Sequence, residues 1–130
     1  MNRTQRVVVF GECMLELQGQ AFGAMRQTFG GDTLNTAVYL ARLLAATPGW
    51  SVQYATGLGT DALSDGLVQR WQAEGLDVDL VRRIEGRLPG LYLIETDDCG
   101  ERRFSYWRDH SAARAYFELP PQERTPLERL

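Results

Sequence analysis

Two stretches of this chain run the same course, an apolar strand that breaks at glycine and then an amphipathic helix. That repetition restricts the fold more than any other feature of the sequence. Arg6 to Gly11 is short, apolar and β-branched, and reads as a buried strand, parallel and central in its sheet. Beyond Gly30-Gly31, the residues Leu34, Ala37, Val38, Ala41, Leu44 and Ala45 recur at three- and four-residue spacing and form the apolar face of a helix, which Pro48-Gly49 stops. Ser51 to Leu58 repeats the buried-strand pattern. Asp61 to Ala73 repeats the helix, with Leu63, Leu67, Val68 and Trp71 facing inward. Strand, helix, strand, helix predicts an α/β fold: a parallel sheet with flanking helices and right-handed crossovers.

The remaining segments follow a different rule. Met14 to Gln18 alternates apolar with polar, as a half-exposed strand does, and Ala24 to Phe29 is placed as its hairpin partner. Val78 to Ile84, Gly90 to Glu95 and Arg102 to Arg108 are strand-like, and Asp97-Asp98-Cys99-Gly100 carries a hairpin turn between the last two. These runs predict a small antiparallel sheet projecting from the α/β body. The body then comprises about 5–12 and 30–77, and the projecting strands about 13–29 and 78–108. Ser111 to Phe117 reads as a short helix ended by Pro120-Pro121. Thr125 to Leu130 begins another helical pattern with Leu127 and Leu130, where the chain stops. Two parallel strands cover themselves poorly, so the fold is expected to be incomplete at its C-terminal end. The plainer alternative is a small self-contained domain with a flexible tail.

Charge and composition narrow the function classes. A net charge of −3 provides no basic excess to neutralise phosphates, which argues against nucleic acid and anionic membranes as partners. The apolar run Val7 to Phe10 is too short for a signal-peptide core or a membrane span. Two isolated cysteines, Cys13 and Cys99, suggest reduced thiols and a cytoplasmic setting.

Several groups could carry chemistry. In Gly30-Gly31-Asp32-Thr33-Leu34-Asn35 the glycines let the backbone turn tightly against a ligand, the helix start presents free N–H groups, and the Asn35 amide can reach a polyol hydroxyl. Spacing by itself favours a simpler role, an Asp/Thr helix cap behind a tight loop. Gly57-Leu58-Gly59-Thr60-Asp61-Ala62 follows a strand and opens a helix, as a dinucleotide-binding fingerprint does, with Asp77 near the expected acidic position. It follows the second strand rather than the first, and Asp77 precedes the next strand. A plain turn capped by Asp61 is therefore the preferred reading. Strand alternation puts Phe104, Tyr106 and Arg108 on one face and Arg103, Ser105 and Trp107 on the other. With Tyr92 nearby, a tyrosine hydroxyl and an arginine fork suit an oxygen-rich anionic ligand. The competing reading is a sheet whose aromatics pack on a subunit partner. Glu12 sits at the carboxyl end of the first strand, where α/β sheets bind ligands, and either accepts a sugar hydroxyl or is a solvated loop residue. His110 beside Asp109 reads as a surface residue. No metal-ligand cluster, supported Ser-His-Asp arrangement or P-loop occurs.

These motifs, in this order, resemble the ribokinase-like carbohydrate kinases: a strand ending in Gly11-Glu12, then Gly30-Gly31 opening the helix with Asn35, then Gly57-Leu58-Gly59-Thr60-Asp61, then Glu74-Gly75-Leu76-Asp77. Within that family Gly90-Leu91-Tyr92-Leu93 and Phe104-Ser105-Tyr106-Trp107-Arg108, with Ser111-Ala112-Ala113, look like the 2-keto-3-deoxygluconate kinases. The resemblance implies a ribokinase-like sheet with a β lid that covers the sugar and often pairs with a second subunit. Carried over by motif, Gly31, Asp32, Thr33, Leu34, Asn35, Tyr92, Tyr106, Trp107 and Arg108 would line the sugar site, with Arg108 on the substrate carboxylate. The reaction implied is transfer of the ATP γ-phosphate to a sugar hydroxyl, with Mg²⁺. Another sugar of the same family is the alternative substrate.

The resemblance also shows a departure. Family members are more than twice as long, and their catalytic base is an aspartate in a glycine-rich G-x-G-D segment near the C-terminus. No Gly-Ala-Gly-Asp run occurs in this sequence. The expectation is a chain that holds part of the sugar site, no catalytic residue and no ATP or metal site, and that turns over nothing alone.

Overall fold

The computed structural model describes residues 4–128, with side chains through residue 124. In chain order the elements are β1 (Gln5–Phe10), β2 (Met14–Gly19), β3 (Met25–Gly30), α1 (Asp32–Leu44), β4 (Trp50–Leu58), α2 (Ala62–Ala73), β5 (Val81–Arg83), β6 (Gly90–Thr96), β7 (Arg102–Trp107) and α3 (Pro121–Glu128). A 3₁₀ turn at Arg114–Glu118 precedes α3.

The α/β body is as the alternation predicts. β4 lies between β1 and β5 in a three-stranded parallel sheet, with Val7 opposite Val52 and Gly57 opposite Arg82. Leu34, Ala37, Val38 and Ala41 on one face of α1 pack with Val52, Tyr54 and Leu58 of β4 and with Leu67 and Trp71 of α2. Tyr54 and Trp71 meet edge to face, ring centroids 5.1 Å apart. Burial of these side chains is what joins the helices to the sheet.

The second sheet has the order β3-β2-β6-β7. Its two hairpins are antiparallel, but β2 and β6 run parallel to each other, with Glu16 opposite Tyr92. It is therefore a mixed sheet, not the antiparallel one expected. The reason is topological: each hairpin closes locally, whereas β2 and β6 come from separate excursions out of the body and leave it in the same direction.

Other expectations also need correction. β1 is the outer strand of the body sheet among the described residues, with Gln5, Arg6 and Phe10 exposed, and the buried central strand is β4. The run from Val78 yields only β5, which pairs with Thr56–Leu58 in the parallel sheet and does not belong to the lid. Leu63 is 42% exposed, and Ser64 takes the inward position. Ser64 can be buried there because its hydroxyl donates to Asp61 Oδ1 at 2.6 Å and accepts from the Gly59 amide at 3.0 Å. Helix α1 ends at Leu44, before Pro48, and leaves Ala45 exposed. Pro120-Pro121 ends the 3₁₀ turn but also starts α3, with Pro121 at its first position. Of the apolar pair expected near the C-terminus, Leu130 and the Leu127 side chain lie outside the described residues.

Candidate functional site

The lid sheet leans over the start of α1, and between them lies a cavity of about 440 Å³. Its floor is Gly31, Asp32, Thr33 and Asn35; its roof is Tyr92, Tyr106 and Arg108; Glu12 and Met14 form the side.

Gly31 determines the floor. Its φ is 155°, and a Cβ there would lie 2.5 Å from the Glu12 carbonyl oxygen, so only glycine lets the chain turn from β3 into α1 this close to β1. Gly31 is also the N-cap, and its carbonyl accepts from the Asn35 amide at 2.9 Å, with no side chain capping the helix. The cap role expected for Asp32 and Thr33 is thus absent. Asp32 and Asn35 are exposed at the cavity, free to meet a ligand. Thr33 instead faces inward and shares a 2.9 Å hydrogen bond with the fully buried Tyr54 hydroxyl, whose ionisation burial pushes well above the ordinary range.

The roof follows from register. Glu16 on β2, Tyr92 on β6 and Tyr106 on β7 are direct neighbours across the three strands. The Tyr92 and Tyr106 rings stack with centroids 6.1 Å apart, and the Tyr92 hydroxyl donates to Glu16 Oε2. Partial burial first, and then the Glu16 carboxylate, push the Tyr92 phenol well above its ordinary range.

Glu12 forms one side of the cavity, its side chain 11% exposed. Its Oε2 accepts from the Ser111 hydroxyl at 3.0 Å, and its Oε1 lies 3.4 Å from Arg108 Nε. That contact is an ion pair without hydrogen-bond geometry, since neither atom has a hydrogen-bond partner. A Cβ at Gly90 would sit 2.5 Å from Glu12 Oε1, so the glycine that opens β6 makes room for this carboxylate.

The residues expected in the site divide into two groups. Glu12, Gly31, Asp32, Thr33, Asn35, Tyr92, Tyr106 and Arg108 line one cavity. Leu34 does not line it: its side chain is fully buried in the core against β4. Trp107 does not either. It is 58% exposed on the other face of β7, beside Leu88 and Pro89, as strand alternation requires. Sequence reasoning missed Met14, Glu16 and Ser111. The signal for Glu16 was present, as the polar position of an alternating strand, but only the sheet order shows that it meets Tyr92.

The dinucleotide reading of Gly57 to Ala62 is overturned. A Cβ at Gly57 would lie 2.5 Å from the Ala112 carbonyl oxygen, and Gly59 packs on the Arg87 carbonyl. The Gly59 amide is spent on Ser64, and Asp61 caps α2 by accepting from the Ser64 amide at 3.2 Å. These glycines accommodate the chain's own backbone and leave no cradle for a pyrophosphate.

Nor do the residues of the cavity fit a nucleoside triphosphate or a metal ion. Among the described residues that line it, Arg108 is the one cation, and it already faces Glu12. Among the described residues, no group of three or more His, Cys, Asp or Glu could hold a metal. No helix among the described residues is long and apolar enough to cross a membrane.

Comparison with known proteins agrees with this architecture. Residues 4–125 match the pfkB family of carbohydrate kinases. The 2-dehydro-3-deoxygluconokinase of Dickeya dadantii is 48% identical over 117 residues, covering 90% of this chain and 37% of that protein. The crystal structure of 2-dehydro-3-deoxygluconokinase from Thermotoga maritima superposes with a TM-score of 0.73 at 26% identity, over 95% of this chain and 38% of that one. A fructokinase from Xylella fastidiosa with bound ATP gives 0.72 at 30% identity, over 85% and 32%. The chain spans about 37% of the length of the curated relatives it matches. The match over nearly the whole chain, together with the ribokinase-like body and its β lid, shows that the chain belongs to the pfkB family of carbohydrate kinases.

Proposed function

We propose that residues 1–130 form the N-terminal, acceptor-binding part of a sugar-acid kinase that phosphorylates 2-keto-3-deoxygluconate, the 2-dehydro-3-deoxygluconate of its relatives' names. The observation that carries this reading is the convergence of Arg108 and Tyr106, from the lid, with Gly31 and Asn35, at a helix start, on one cavity. The exposed side chains of Asp32 and Asn35 suit sugar hydroxyls, since each can pair with O–H groups. Arg108 suits the carboxylate through its guanidinium fork. Holding the sugar at several points, the cavity would fix the acceptor hydroxyl for in-line transfer, which is the larger part of what a phosphoryl-transfer enzyme must do. ATP, with Mg²⁺, supplies the phosphoryl group in the whole enzyme, and the base that takes the hydroxyl proton lies outside this chain, which is expected to have no turnover alone.

One observation favours a second reading, a kinase for a neutral sugar. Arg108 is already faced by Glu12, and Asp32 adds a second carboxylate to the cavity. An anionic ligand must therefore compete with Glu12 for the guanidinium. The lid face opposite the cavity, where Trp107 is exposed, and the neighbouring exposed Leu88 suit pairing with a second copy, and the free thiols Cys13 and Cys99 suit a cytoplasmic setting. The deciding assay is ATP-dependent phosphorylation by the full-length protein that carries this chain, with 2-keto-3-deoxygluconate and fructose compared. Preference for the sugar acid, lost in Arg108→Ala, is expected. Equal or better turnover of fructose, or an Arg108→Ala variant with unchanged KM for the sugar acid, overturns the sugar-acid reading.

A further inference from the structure

We propose that Glu16 is a positioning residue that sets the hydrogen-bond polarity of Tyr92, so that this point of the cavity accepts a ligand hydroxyl and turns away a ligand carbonyl or carboxylate oxygen. The inference rests on the acceptor-site reading above and deepens it.

Glu16 and Tyr92 stand directly opposite each other on the parallel strands β2 and β6. The Tyr92 hydroxyl donates to Glu16 Oε2. Gly30 leaves the space in which they meet: a Cβ there would lie 2.7 Å from the Tyr92 hydroxyl and 3.6 Å from Glu16 Oε2. On its other side the Tyr92 ring stacks on Tyr106, its neighbour in register on β7. The ring is thus held between two strands, with its hydroxyl committed to one partner.

A phenol has one proton to give, and an ionised carboxylate can only accept. With that proton on Glu16, what Tyr92 offers the cavity is an oxygen lone pair. A ligand O–H satisfies it. A ligand carbonyl or carboxylate oxygen placed there would face another acceptor and lose its hydrogen bonds to water without replacement. The ligand's acceptor-only oxygens must then lie elsewhere, toward Arg108, the cationic donor of the same cavity. Glu16 does not line this cavity, yet it dictates which end of an asymmetric sugar acid can face β6.

Glu16→Gln tests this, because an amide either accepts or donates and so releases the Tyr92 proton from its single orientation. In the full-length protein, Glu16→Gln is expected to raise KM for the sugar acid about tenfold, the scale of one hydrogen bond, with kcat within about twofold. Tyr92→Phe is expected to do the same, and the double variant to be no worse than Tyr92→Phe alone. Additive losses would mean that Glu16 acts independently of Tyr92, and would overturn the proposal. A second readout needs no turnover. In the full-length protein labelled with ¹³C at tyrosine Cζ and assigned through Tyr92→Phe, Tyr92 should ionise at lower pH in Glu16→Gln than in the wild type. Cys13 and Tyr106, the other titratable groups near it, are unchanged between the two. An unmoved titration refutes the contact. If the wild-type enzyme does not phosphorylate the sugar acid, the function reading fails separately, and the tyrosine titration still decides the pair.

Discussion

Glu12, just beyond β1, and Arg108, just beyond β7, face each other with the carboxylate Oε1 3.4 Å from the guanidinium Nε. The contact joins the α/β body to the lid on the rim of the cavity and makes Arg108 a shared cation rather than a free one. If the proposed function holds, Arg108→Ala in the full-length protein is expected to raise KM for the sugar acid by about 10- to 100-fold, the range for losing a charge-assisted hydrogen bond. Glu12→Gln should act in the opposite direction and lower that KM, because it removes the competitor for the guanidinium. Steady-state kinetics of the two variants check both signs, and a Glu12→Gln variant with raised KM would show instead that Glu12 itself holds the sugar.

Gly31→Ala should damage both fold and site. The substitution puts a side chain at φ 155° and its Cβ 2.5 Å from the Glu12 carbonyl oxygen. A loss of at least about 1 kcal/mol of stability is expected from the backbone alone. Urea unfolding of the two chains measures it, and an unchanged midpoint would mean that the turn into α1 adapts freely.

The Thr33–Tyr54 hydrogen bond ties the cavity floor to the core, so it should register as stability. Thr33→Val leaves the Tyr54 hydroxyl buried without its partner and is expected to cost about 1–3 kcal/mol. Tyr54→Phe removes the buried group itself and should cost less, because Thr33 is only partly buried and can turn to water. Chemical denaturation of both variants tests the order; Tyr54→Phe the more damaging would reverse the argument.

Asp61 should give α2 an acid-sensitive cap. Burial would raise its pKa, but the Ser64 hydroxyl and backbone amides together hold it below its ordinary 3.8. A carboxyl depressed in the folded state stabilises fully above the unfolded pKa and loses that contribution as pH falls through the folded value. Asp61→Ala is therefore expected to cost about 1 kcal/mol at neutral pH, and the gap from wild type should narrow below about pH 4. Thermal unfolding at pH 7 and pH 3 reads both; a gap that is constant with pH would deny the carboxylate its role.

Much of this arrangement is legible in the sequence, for local reasons. The 3.6-residue period of α1 and the glycine ends of β1 and β4 are written in adjacent residues, and so is the hairpin turn at Asp97–Gly100. Alternation along β7 sets Tyr106 and Arg108 apart from Trp107, and in the structure Tyr106 and Arg108 line the cavity at the start of α1 while Trp107 does not. The motif resemblance also names Leu34 and Trp107, whose side chains do not line the cavity, because a motif names positions without saying which way their side chains point. The apparent dinucleotide loop failed for a similar reason. Its glycines answer to the Ala112 and Arg87 carbonyls, which are distant in sequence.

By itself the sequence determined the alternation of strands and helices, the two glycine-opened helix starts and the kind of groups, tyrosines with an arginine, that the lid carries. Each of these depends on residues within a few positions of one another, where steric and hydrogen-bonding preferences act directly on the chain. Only the tertiary structure decided that β5 joins the body, that β2 runs parallel to β6, and that Glu16 meets Tyr92 and Glu12 meets Arg108. Those pairings join residues far apart in the sequence, which local preferences do not fix. A shift of one residue in register would turn every one of these side chains to the opposite face.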